Sequence, residues 1–196
     1  MNRIVSTERT VLRAIRGSMK AGRPVMIAID GRCGSGKTTL AARLAAELGC
    51  PVIHTDDYYL PLDRRCAGWE KKPAANIDFD RLRNQLLLPL HRGEAAEYRP
   101  YSCREGAYLQ PAPVPSAPVI LVEGSYSQHP ALRDLYDLKI VLTCSDSCQT
   151  ARLQNREGER FELFRRRWIP LERSYLSDCR IQEEADLLLD TTGEEV

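Results

Sequence analysis

The chain has 196 residues, 43% of them hydrophobic and 28% charged, with a formal net charge of +1. That length suits one α/β domain over 1–196, and the near-neutral balance gives no global attraction for nucleic acid or an anionic membrane. No apolar run approaches the roughly 20 residues that span a bilayer, and residues 1–20 lack the continuous apolar stretch of a signal peptide, so neither insertion nor export is expected.

Residues 1–21 are expected to form an N-terminal helix, because Val5, Leu12, Ile15 and Met19 are spaced as one helical face, with Ser6 or Thr7 as its cap. Residues 25–30 are a short apolar run that reads as a buried strand. Residues 31–38, Gly-Arg-Cys-Gly-Ser-Gly-Lys-Thr, fit G-x-x-x-x-G-K-[ST]. Residues 37–48 then read as a helix built from good helix formers. Strand, glycine loop and helix together form the context in which this pattern wraps a nucleotide's phosphates. Successive backbone N–H groups turn inward around the anion, and the helix adds the positive end of its dipole. The candidate nucleotide-binding residues are Gly31, Arg32, Cys33, Gly34, Ser35, Gly36, Lys37, Thr38 and Thr39. Lys37 is expected to reach the β- and γ-phosphates and the Thr38 hydroxyl to ligate Mg²⁺. Beside the helix N-terminus, Cys33 is expected to have a lowered pKa, so that oxidation or alkylation there would block nucleotide binding.

Further strands are expected at 51–54, 119–122, 139–143 and 185–189, alternating with helices at 79–90, 146–157 and about 161–179. This alternation predicts a mostly parallel five-stranded sheet covered on both faces, the three-layer α/β/α arrangement of P-loop NTPases, with ligands at the carboxyl ends of the strands. Residues 61–76 and 97–118 break the pattern and read as substrate-side excursions. After the second strand, His54-Thr55-Asp56-Asp57-Tyr58-Tyr59 offers a carboxylate as base for a substrate hydroxyl or as a Mg²⁺ contact, with Asp56 favoured over Asp57. The third strand ends in Glu123, a second candidate metal ligand. Arg152, Arg156 and Arg160 share a helical face, and Arg165-Arg166-Arg167 follow; the 152–167 region is expected to be an arginine lid over the triphosphate. The seven cysteines are odd in number and lack zinc-site spacing, which points to a reduced, cytoplasmic chain.

Together these residues resemble the uridine kinase family of P-loop small-molecule kinases, relatives of phosphoribulokinase and the bacterial pantothenate kinases. The resemblance rests on residues 31–38, on Asp56-Asp57-Tyr58-Tyr59 as D-x-[FY]-Y, on Val122-Glu123-Gly124, on Arg152 to Arg156, and on residues 168–175 followed by Ala185-Asp186. It implies ATP and Mg²⁺ as cofactors, Asp56 as catalytic base with Lys37 and Arg156 assisting transfer, Arg152 on the nucleotide, and Tyr59 on the acceptor. It also implies substrate contacts from Asp78, in Asn76-Ile77-Asp78, and from Tyr101, in Pro100-Tyr101. The chain departs from the family where His-Pro should follow Asp78, at Ser102-Cys103-Arg104-Glu105, and at Asn155 in place of a lid arginine. The implied reaction is transfer of the γ-phosphoryl group to a small-molecule hydroxyl, most readily a nucleoside's. The alternatives are a pantothenate-like or sugar-phosphate acceptor, for which Arg104, Lys71 and Lys72 are candidate contacts to an acidic group, and a non-catalytic ATP-binding regulator. A GTPase switch is disfavoured, since no [NT]-K-x-D element occurs. Homo-oligomerisation and the choice between ATP and GTP are left open by the sequence.

Overall fold

Helix α1 (Arg3–Ser18) leads into strand β1 (Val25–Gly31), which is buried along its whole length. The structure, a computed structural model, describes residues 3–19 and 22–194. Val11, Leu12 and Ile15 of α1 are buried as the periodicity requires, but Met19 lies beyond the helix and is exposed; the Val5 side chain is outside the described residues. The expected cap at Ser6 or Thr7 is not one, because α1 is already helical from Arg3. The Thr7 hydroxyl instead donates to Glu194 Oε1 at 2.7 Å, tying the helix to the far end of the described chain.

The phosphate-loop pattern enters helix α2 (Lys37–Leu48), which ends on Gly49 in a left-handed conformation. Strand β2 (Val52–His54) follows, and after the first excursion comes α3, a helix over 79–91 whose middle, Leu82–Leu87, is π-helical. The second excursion folds into two short antiparallel pairs. Strands β3 (Glu97–Tyr98) and β6 (Ala112–Pro113) enclose β4 (Tyr101–Ser102) and β5 (Ala107–Tyr108). The chain then runs through β7 (Val119–Glu123), β8 (Leu138–Thr143), α4 (Asp146–Glu157), α5 over 161–178 and β9 (Leu187–Asp190).

The main sheet has the order β2-β7-β1-β8-β9 and is parallel at every pairing. A parallel sheet is covered on both faces, and alternation along β1 sorts its residues between two cores. Val25, Ile27 and Ile29 pack with Leu40, Ala41 and Leu44 of α2 and with α1; Met26 packs on the other face against Leu82, Leu86 and Leu90 of α3. A third cluster joins Val141 of β8 to Tyr175 and Leu176 of α5. The result is the expected three-layer α/β/α P-loop fold, with β1 central and its neighbours β7 and β8 ending beside the glycine loop.

At that end the strands approach closely. Gly31 has φ +129°, and a Cβ built there would lie 1.9 Å from the Leu142 carbonyl oxygen of β8. Gly31→Ala is therefore expected to destabilise the fold by at least about 2 kcal/mol, read as a lower urea or thermal midpoint. A variant that unfolds with the wild type would refute the close approach.

Candidate active site

The carboxyl ends of β1, β2 and β7 place three sets of polar groups around one cavity of about 660 Å³. From β1 comes the glycine loop. Lys37 is buried at the start of α2, and its Nζ donates to the Gly31 and Arg32 carbonyl oxygens at 2.8 and 3.0 Å. Burial pulls its pKa down, but the carboxylates of Glu172, Asp30 and Glu123 help to outweigh this, and it stands above the ordinary lysine value. The Thr38 hydroxyl lies 3.2 and 3.3 Å from the two oxygens of Glu123, at the end of β7. His54, ending β2, holds Glu123 Oε1 through Nδ1 at 2.6 Å. Gly124 lets the chain turn away from β7, since a Cβ at its φ of +128° would meet the Thr55 hydroxyl at 2.2 Å.

From β2 comes the short turn 55–58, which aims Asp56 into the cavity. The Tyr59 hydroxyl donates to Asp56 Oδ1 at 3.0 Å. Asp56 keeps solvent contact on the cavity side, yet desolvation by the surrounding wall raises its carboxyl above the usual range. Burial beside Asp56 pushes the Tyr59 phenol up as well, so it stays a donor. Asp57 faces elsewhere and accepts from the Tyr98 hydroxyl.

The remaining sequence candidates divide. Arg156 lines the cavity, exposed, with its Nε on Glu157 at 2.8 Å and its guanidinium over the Phe164 ring. Arg152 also lines it, but its guanidinium braces the loop, donating to Gly34 O at 3.0 Å, the Thr191 carbonyl at 2.8 Å and Glu194 O at 2.6 Å. The Arg32 side chain points away, to Cys144 O and Asp146, leaving only its backbone at the loop. Asp78 caps α3, accepting the Arg81 N–H at 3.1 Å, and Tyr101 packs on Tyr108 with ring centres 5.3 Å apart; neither lines the cavity. Arg104 is exposed in the β4–β5 turn, also away from the cavity. Lining residues that the sequence did not signal are Ser125 and Tyr126 after β7, and Phe164, Trp168 and Glu172 on α5.

Among the described residues no group of three or more His, Cys, Asp or Glu could by itself hold a metal ion. The oxygen pair of Thr38 and Glu123 nonetheless fits Mg²⁺, which favours hard oxygen ligands and takes one or two from protein while keeping phosphate and water for the rest. The glycine loop beside that pair fits the phosphates.

Residues 27–167 match the family model described as AAA domain. The chain belongs to that family. It is 31% identical over 150 residues to a uridine kinase of Saccharomyces cerevisiae, and 26% identical over 136 residues to uridine-cytidine kinase C of Dictyostelium discoideum. These matches cover 66% and 67% of this chain but only 28% and 30% of the two relatives. A solved structure described as a possible uridine kinase from Bacillus stearothermophilus superposes with a TM-score of 0.71 at 22% identity, covering 96% of this chain and 97% of that one. That likeness establishes the fold.

One expectation about the family's loop is reversed. The Cys33 thiol is not acidified by the α2 N-terminus: burial and the neighbouring Glu172 carboxylate push it up, far from thiolate formation at neutral pH. All seven cysteines are unpaired, and Cys66 and Cys103 are exposed. Iodoacetamide at about pH 8 should therefore label Cys66 and Cys103 well before Cys33, since only the thiolate reacts. Peptide mass spectrometry checks the order, and Cys33 labelled as fast as Cys66 would overturn it.

Proposed function

We propose that this chain is an ATP-dependent small-molecule kinase that transfers the γ-phosphoryl group to a substrate hydroxyl. The observation that carries the reading is a single cavity holding Lys37 and Thr38 with Glu123 on one side and Asp56 with Tyr59 on the other. Transfer needs a phosphate cradle and a carboxylate able to take a hydroxyl proton in the same enclosure. The raised carboxyl of Asp56 suits it as base, because its proton affinity moves toward that of the operating medium. The acceptor proton goes to Asp56 as the acceptor oxygen bonds to the γ-phosphorus. The bond to the β–γ bridging oxygen breaks, and ADP leaves.

In this reading Lys37 turns from the Gly31 and Arg32 carbonyls to the phosphates, and Arg156, held by Glu157 at the rim, closes over the transferring group. Thr38 and Glu123 would hold Mg²⁺, which would neutralise charge on the phosphate oxygens. The named relatives support a nucleoside as the first acceptor to try. The pantothenate-like and sugar-phosphate alternatives have less support, since Arg104 stands away from the cavity. A regulator without turnover is disfavoured by the presence of Lys37, Thr38, Asp56 and Glu123 in one site.

ADP release from ATP and Mg²⁺ should rise with one member of a panel of nucleosides, pantothenate and sugar phosphates. A flat response throughout would favour the regulator. With that acceptor, Asp56→Asn should lower kcat by about 10²-fold or more while leaving ATP affinity nearly unchanged. Lys37→Ala should weaken binding and transfer together. Wild-type turnover in Asp56→Asn would remove Asp56 from the base role.

A further inference from the structure

A carboxylate already sits where the glycine loop offers its donors to an anion. Glu172 of α5 is 2% exposed. Its Oε2 accepts the backbone N–H of Cys33, inside the loop, and its Oε1 accepts from Gln149 Nε2 at 3.1 Å. Gln149 also donates to the Cys33 carbonyl at 3.0 Å and accepts from Arg32, so the contact is held from α4 and from the loop itself. Lys37 is turned inward onto two loop carbonyls and feels the Glu172 charge. A buried carboxylate is tolerable only with such donors, and loop N–H groups of this kind bind anions of any origin.

We propose that Glu172 is an internal occupant of the phosphate loop, and that a nucleotide's phosphates enter by displacing its carboxylate from the Cys33 N–H. A phosphate oxygen and a carboxylate oxygen cannot share that donor, and their charges repel at contact distance. Glu172 therefore sets the affinity of the loop for phosphate while the glycines set its shape. The inference rests on the reading of this loop as the nucleotide phosphate site.

Calorimetric titration of the full chain tests it, with wild type, Glu172→Gln and Glu172→Ala each titrated with a non-hydrolysable ATP analogue plus Mg²⁺ and, separately, with inorganic pyrophosphate. Removal of a competing charged hydrogen bond should tighten both ligands roughly tenfold or more in Glu172→Ala. Glu172→Gln keeps the Gln149 contact and a neutral acceptor, so it should fall between Glu172→Ala and wild type. If the alanine variant does not fold, the glutamine variant carries the comparison by itself. Unchanged or weaker binding in a folded variant overturns the proposal, because a carboxylate that merely braces the loop would cost affinity when removed. Absence of binding by every protein would instead sink the nucleotide reading, and this proposal with it.

Discussion

A carboxylate cut off from water holds the carboxyl end of the sheet together. Asp30, the residue before Gly31, is fully buried, and desolvation raises its pKa against the pull of its donors. Those donors come from three places: the Gly31 N–H at 2.6 Å, the Gln128 N–H at 2.8 Å and the Tyr175 hydroxyl at 2.6 Å. A buried carboxylate lacking them would cost several kcal/mol, so the glycine loop, the segment after β7 and helix α5 are locked to one point. The lock also sustains local strain. Tyr126 lies in the cavity wall at φ +73°, an unfavourable region for a bulky residue, and its ring packs edge-on against Tyr175 with centres 4.8 Å apart.

Local signals were enough for the frame. Helix α2 begins and ends where the glycine loop and Gly49 place it, and α4 starts where the Ser145 hydroxyl accepts the Cys148 N–H. Strand β9 starts two residues later than the apolar run at 185–189 suggests. Asp186 is taken up by Lys139, whose N–H its carboxylate accepts at 2.7 Å, before the ladder begins. The two-residue strands of 97–118 are too short to carry a period. Long-range pairings were out of reach for a different reason: Glu172 and Cys33 are separated by 139 residues, Tyr175 and Asp30 by 145, and neither pair has a local pattern. Arg152 shows what spacing leaves out. Its helical spacing with Arg156 suggests a lid, but spacing does not reveal that the carbonyls of Gly34, Thr191 and Glu194 occupy its guanidinium.

Two residues that match the uridine kinase pattern, Asp78 and Tyr101, are used by this chain for its own packing. Asp78 is engaged as a helix cap and faces Arg64 and Arg81 at 3.6 and 3.8 Å. Arg81 lies over the Tyr58 and Tyr108 rings at 4.1 and 4.8 Å, and Tyr101 closes the same cluster. Arg64, Asp78 and Arg81 also line a separate cavity of about 250 Å³ that shares no lining residue with the one at the glycine loop. Beside Asp56, the wall of the main cavity is formed by Tyr59, Tyr126, Phe164 and Trp168.

Helix α5 belongs to both halves of the cavity. Its Trp168 ring stacks on Arg167, which lies 4.5 Å from the Trp69 ring of the first excursion; Arg65 covers Trp69 at 4.4 Å and approaches Tyr59 at 5.9 Å. One turn further along the same helix, Glu172 reaches the loop and Tyr175 reaches Asp30. Glu172 is held by Gln149 and Cys33 on one side and borders the open cavity on the other. The side chain therefore has room to turn without a shift of α5 or of the Trp168–Arg167–Trp69 stack. On the proposed displacement, the released carboxylate would enter the cavity that Asp56 and Trp168 also line, so one helix would couple the two halves of the site.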